Sequence, residues 1–208
     1  MRLSRISDLN LDGVLNLPER VSGQIPSLIV CHPHPAFGGD MNNSVVMTIC
    51  QKANLNGFAT LRFNFRGVGL SEGQFGGGEQ EKLDVKSALD VLRNWPGLNR
   101  KQISLCGYSF GAGVIGNGIK SYKQVNRFVF VSPPVESLRK SGISENSKPM
   151  LFITGQRDKI SNPGPLQSLM DEIEGTTLYI EIPNADHSLV GYEYEVADRV
   201  VEFVIGAK

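Results

Sequence analysis

Ile103-Ser104-Leu105-Cys106-Gly107-Tyr108-Ser109-Phe110-Gly111-Ala112 is the stretch on which the architecture turns. Its first four residues are a short, largely apolar run that ends at glycine, which reads as a strand. The apolar run that resumes at Phe110 extends to residue 121 and has the length of a helix. A strand that becomes a helix across Gly-x-Ser-x-Gly holds the serine at a sharp tip, and the flanking glycines avoid Cβ clashes with strand and helix. Such a turn exposes Ser109 Oγ and aims the Phe110 N–H at the place where an oxyanion would form. With 23 glycines in 208 residues, the pattern alone arises by chance in roughly one such chain in five. Its weight comes from its position between a strand and a helix.

Outward from this point, apolar runs alternate with amphipathic segments. Strands are expected at 27–31, 60–65, 103–106, 127–131, 150–154 and 177–182, with a first pair at 3–7 and 14–17. Several of these are continuous Val/Ile/Phe runs, as in strands covered on both faces. Helices are expected at 43–56, 79–95, 110–121, 166–173 and 193–205. The alternation implies an α/β fold, a mostly parallel central sheet with helices on both faces. In such folds, reactive groups gather at the carboxyl ends of strands.

A serine nucleophile needs a base, and the chain has three histidines. His187 lies just beyond the last expected strand, whereas His32 and His34 follow a much earlier one. Where the chain order is serine, acid, histidine, only His187 can be the base. The acid expected to orient it is Asp158, after strand 150–154, with Glu136 as the understudy and Asp186 disfavoured as a direct neighbour. The loop Cys31-His32-Pro33-His34-Pro35-Ala36-Phe37-Gly38-Gly39 is placed to supply the second oxyanion donor. Its prolines have no N–H, which leaves His34 first and Ala36 or Phe37 as substitutes. Phe37, Gly38, Gly39 and Tyr108 are the expected substrate-binding residues. Arg66, in Asn64-Phe65-Arg66-Gly67-Val68-Gly69-Leu70-Ser71, is expected to tie loops together through backbone carbonyls.

Two other chemistries compete for the same residues. Gly111-Ala112-Gly113-Val114-Ile115-Gly116 matches a dinucleotide fingerprint, but the following strand ends Val131-Ser132-Pro133-Pro134 and lacks the expected acid. Close helix–sheet packing explains those glycines more simply. His32 and His34 would share a face if their strand continued, yet no third ligand stands at a zinc spacing. Neither a cofactor nor a metal is therefore expected.

Lys plus Arg and Asp plus Glu both total 21, so no net charge points to nucleic acid or an anionic membrane. No apolar run spans a bilayer, and residues 1–8 lack the apolar core of a secretory signal. The three cysteines have no CxxC spacing, and two lie in apolar runs as buried free thiols. The expectation is one cytoplasmic domain over 1–208, with its oligomeric state open.

Together, His-Pro-His-Pro-x-x-Gly-Gly at 32–39, Asn-Phe-Arg-Gly-x-Gly-x-Ser at 64–71, Gly-x-Ser-x-Gly at 107–111, Asp158 and His187 resemble the α/β-hydrolase superfamily along essentially the whole chain. Within it the chain looks like the small bacterial hydrolases related to dienelactone hydrolase. The resemblance implies a Ser109–Asp158–His187 triad with no metal or organic cofactor, acting on a small-molecule ester or thioester in the manner of a carboxylesterase. Two departures stand out. Dienelactone hydrolases proper use cysteine as nucleophile, and the common His-Gly oxyanion dipeptide is His32-Pro33 here. The interval from Ser132 to Pro149 is too short for a cap domain, which implies an open site. The rival from another class is a catalytically silent hydrolase fold serving as a binding or scaffold module.

Overall fold

In the computed structural model, which describes residues 2–3, 9–19 and 23–206, the strand-to-helix turn at Ser109 sits in the middle of an eight-stranded sheet. The strands are β1 (Arg2–Leu3), β2 (Gly13–Asn16), β3 (Ile25–Cys31), β4 (Ala59–Phe63), β5 (Leu98–Tyr108), β6 (Val125–Val131), β7 (Met150–Gly155) and β8 (Thr177–Ile182). Their spatial order is β1-β2-β4-β3-β5-β6-β7-β8. The first two pairings, β1 with β2 and β2 with β4, are antiparallel, and the others are parallel. The expected strand at 3–7 overlaps this sheet only at Leu3; its remaining residues lie outside the described ones.

The helices are α1 (Ser44–Leu55), α2 (Glu81–Asn94), α3 (Phe110–Gly118), α4 (Val135–Arg139), α5 (Pro163–Met170) and α6 (Glu193–Ile205). Period-two alternation divides each central strand between two cores. Ile103 and Leu105 of β5 and Phe128 and Phe130 of β6 join Val85, Leu89, Val114 and Ile115 from α2 and α3 on one face. Cys106, Tyr108, Val129 and Val131 join Val45, Ile49, Val196 and Val200 from α1 and α6 on the other. With both faces covered, the strands read as the near-continuous apolar runs of a buried parallel sheet.

After β3 the chain steps outward to β4, then returns across β3 to lay down β5 on its other side. The loops leaving the carboxyl ends of β3 and β5 therefore diverge and leave a crevice, where open α/β sheets bind their ligands. Between β6 and β7 the chain forms only the five-residue α4 and connecting loop, so no cap stands over this crevice. Among the described residues, no helix is long and apolar enough to cross a membrane.

Candidate active site

Ser109 has φ 51° and ψ −112°, a backbone conformation that side-chain-bearing residues adopt at about 1–3 kcal/mol. Two main-chain hydrogen bonds hold it there: Ser109 N–H to the Val131 carbonyl (2.8 Å) and Gly113 N–H to the Ser109 carbonyl (3.1 Å). The flanking glycines are there for room. A Cβ on Gly107 would stand 2.5 Å from Ala112 N, and one on Gly111 would stand 2.5 Å from the Cys31 carbonyl oxygen. The first turn of α3 thus lies directly on the main chain leaving β3.

His187, in the loop between β8 and α6, brings Nε2 to 2.8 Å from Ser109 Oγ. Its Nδ1 lies 3.0 and 2.9 Å from the two Asp158 carboxylate oxygens. Asp158, in the turn after β7, is buried, and burial alone would raise its pKa. The His187 contact and the Ser161 and Ile160 amides at Oδ1 outweigh that and hold the carboxyl below its ordinary range. A carboxylate so held keeps the proton of a neutral imidazole on Nδ1 and leaves Nε2 bare to accept from the serine hydroxyl. Asp186 instead accepts from Ser188 N and Oγ, and Glu136 is exposed on α4. Tyr108, buried at the end of β5, donates its hydroxyl to the His187 and Ser188 carbonyls (2.9 and 3.1 Å), bracing the loop that carries the imidazole.

β3 ends at Cys31, so His32 and His34 do not share a strand face. The His32 ring is buried: Nε2 accepts from Phe65 N–H (3.1 Å), and Nδ1 is 2.7 Å from the Pro33 carbonyl. Burial lowers its pKa to about 4, so the ring is a neutral strut between two loops. His34 caps a short 3-10 turn, Pro35–Phe37, by accepting from Ala36 N–H, and the Phe37 amide donates to the His34 carbonyl. Both substitute donors are therefore engaged, whereas the His34 N–H has no protein acceptor among the described residues. Phe110 N–H opens α3 and has no acceptor within it. Among the described residues, no group of three or more His, Cys, Asp or Glu could hold a metal ion.

Arg66 does tie loop to helix, but through carboxylate and carboxamide rather than the expected backbone carbonyls. Its Nε and Nη2 reach both Asp84 oxygens at 2.7–3.1 Å, and Nη1 reaches Gln80. The glycines of 111–116 are taken up by packing: Gly111 against β3, Gly113 against Pro134, and Gly116 against Leu138. The three cysteines are free and buried.

Ser109 and His187 open into a cleft of about 960 Å³, which Phe37, Gly38, Gly39 and Tyr108 also line. The sequence did not single out Gly77, Gly78, Pro134, Asn117 or Ser137, which complete its walls. The Gly76-Gly77-Gly78 run is a wall pinned by the buried Glu81 carboxylate, which accepts from the Gly76 and Gly78 amides at 2.6 and 2.7 Å. Its signal was the acid at 81, three to five residues beyond the glycines. Phe75, from the same loop, packs at a tilt beside His34 and Phe110 with ring centroids 5.2 and 5.5 Å away.

A scan against models of known protein families finds no match. The chain is 34% identical over 193 residues to the uncharacterized protein RP471 of Rickettsia prowazekii, covering 88% of this chain and 80% of that one. It superposes on an α/β serine hydrolase homologue from Coxiella burnetii with a TM-score of 0.82 and 30% identity, covering 93% and 91% of the two chains. XC6422 of Xanthomonas campestris, a member of the α/β serine hydrolases without a lid, gives a TM-score of 0.83 at 26% identity, covering 99% and 92%.

Proposed function

This chain belongs to the lidless α/β serine hydrolases, and from that premise we propose that it cleaves a small or medium carboxylic ester or thioester through an acyl-enzyme on Ser109. The observation that carries the reading is the unbroken contact from Ser109 Oγ to His187 to the buried Asp158 carboxylate. His187 takes the hydroxyl proton as Oγ attacks the substrate carbonyl, and the carbonyl electron pair moves onto oxygen. The Phe110 and His34 amides, which engage no protein acceptor among the described residues, hold that oxyanion. Asp158 stabilises the imidazolium without taking its proton. When the tetrahedral intermediate collapses, the alcohol or thiol leaves with the proton from His187. Water then attacks the acyl carbon as it gives a proton to His187, and collapse of the second tetrahedral intermediate breaks the acyl–Oγ bond, returns that proton to Ser109 and releases the acid.

A series of p-nitrophenyl esters and acyl-thioesters of graded length tests the proposal. Hydrolysis is expected, and Ser109→Ala is expected to lower kcat at least about 1000-fold. Near-parental turnover by a homogeneous, folded Ser109→Ala preparation would overturn it.

A further inference from the structure

Charge is distributed unevenly around the cleft. Besides His187, its lining includes three ionisable side chains, Arg157, Lys159 and Asp186. All three belong to the loops that carry the acid and the base, the turn after β7 and the loop after β8. Hydrogen bonds join those loops into one wall. Arg157 N–H donates to the Ala185 carbonyl (2.8 Å), Asn184 N–H to Gln156 Oε1 (3.1 Å), and Arg157 Nη2 to Asn184 Oδ1 (2.7 Å). His187 stands in the same wall, tied to Asp158. No charged side chain lines the cleft from α3.

The direction of the reaction gives this asymmetry a meaning. The leaving alcohol or thiol takes its proton from His187 Nε2, so it departs along the wall that holds the imidazole. That wall is open and cationic. Lys159 is exposed, and its ammonium makes no ion pair or hydrogen bond among the described residues. The exposed Arg157 guanidinium has only the neutral Asn184 carboxamide as a partner. Asp186, the one carboxylate in the lining, is engaged within its own loop, where Oδ1 accepts from the Ser188 amide and hydroxyl at 2.9 and 2.6 Å. Two cations thus stand against one carboxylate whose charge is partly taken up by donors. Ile160 and Val190, 58% and 72% exposed, line the cleft from the same two loops and offer an apolar surface to an uncharged stem.

We propose that Arg157 and Lys159 form a leaving-group subsite, which favours esters or thioesters whose alcohol or thiol carries an anionic group, a carboxylate or phosphate, on an apolar stem. The guanidinium presents paired N–H donors that match the oxygens of either anion, and the lysine adds a compact second charge. The anion lies away from the reacting atoms, so it is held alike before and during the reaction and acts through KM rather than kcat. The proposal rests on the serine hydrolase reading for which end of the substrate lies here, but not for its test.

The test uses the Ser109→Ala chain, in which binding is read without turnover. It is titrated calorimetrically with S-acetyl ω-mercaptocarboxylates whose stems run from two to five methylenes, and with the matching carboxamides. At about 20 mM ionic strength the carboxylate is expected to bind about fivefold more tightly at the best stem length, the scale of an exposed ion pair, and the preference should vanish near 0.5 M salt. Adding Lys159→Gln or Arg157→Gln should reduce the preference, adding both should abolish it, and adding Asp186→Asn should enlarge it. Both ligands are measured on every variant, so a general loss of affinity cancels in the ratio, and circular dichroism reports that each variant is folded. A carboxylate that fails to bind at millimolar concentration, a carboxamide that binds as well at every stem length, or a preference that survives loss of both cations would overturn the proposal. Hydrolysis by the parent chain without the preference removes the subsite and leaves the hydrolase reading; the preference without hydrolysis removes that reading and leaves the anion subsite.

Discussion

Replacing Gly111 by alanine perturbs the candidate site through a single methyl group. The added Cβ would lie 2.5 Å from the Cys31 carbonyl oxygen and 2.8 Å from that of His32, where ordinary contact begins at 3.4 Å. The larger shortfall is about 0.9 Å. Both obstructing atoms are main chain at the end of β3, so no side-chain rotation relieves the clash. The first turn of α3 must move away from the loop that carries His34, and the two oxyanion amides move apart with it. A misplacement near 1 Å is expected to lower kcat roughly 100-fold. Overpacking of this kind destabilises by about 1–3 kcal/mol, which leaves the chain folded at 25 °C. Kinetics on p-nitrophenyl butyrate, with near-ultraviolet circular dichroism to establish the folded fraction, read both effects. A folded Gly111→Ala variant whose kcat stays within about threefold of the parent would refute the argument that this contact sets the oxyanion geometry.

Asp84→Ala strands the Arg66 guanidinium, which is only 7% exposed; a loss of about 3–5 kcal/mol is expected in urea unfolding. Replacing both partners with apolar residues, as in Arg66→Met with Asp84→Leu, should recover much of it. The buried, neutral His32 imparts a pH dependence to stability. Its folded pKa is about 4, so between about 6.5 and 4 the unfolded chain takes up a proton there that the folded chain refuses. Stability is expected to fall by roughly 3 kcal/mol across that window and to level off below it with respect to this residue. Relative to the parent, His32→Gln should lack this slope in denaturant titrations run at successive pH values.

Much of this fold is legible in the sequence because buried parallel strands are apolar on both faces. The strand at 177–182 and the helix at 193–205 stand where their patterns put them. The misses have local causes. β5 begins at Leu98 rather than 103 because its exposed start, Asn99-Arg100-Lys101-Gln102, is polar and hides the extension. β4 stops at Phe63 because the next two amides leave the ladder for the Asp12 carbonyl and the His32 ring. The helix expected at 166–173 spans Pro163–Met170: the Asn162 cap with proline at the first helical position marked its start, and the apolar pattern alone placed it late. The helix expected at 110–121 tightens into a 3-10 turn after Gly118, and α4, at five residues, is too short to show a period. At the site, the Gly-x-Ser-x-Gly turn, the position after strand 150–154 and the chain order picked out the serine, acid and histidine that the fold brings within hydrogen-bond distance. The cleft walls escaped notice because glycines 77 and 78, Pro134 and Asn117 come from three separate segments and acquire a shared meaning only in three dimensions.

The central claim is that Ser109 is an activated nucleophile. Reaction of the native chain with a fluorophosphonate, followed by intact mass measurement and peptide mapping, tests it without knowledge of the substrate. The account predicts a single phosphonyl adduct on Ser109 that forms rapidly in the parent, is absent in Ser109→Ala and is strongly slowed in His187→Ala. A folded parent chain that acquires no adduct, or acquires it on another residue at the same rate with and without His187, would contradict it.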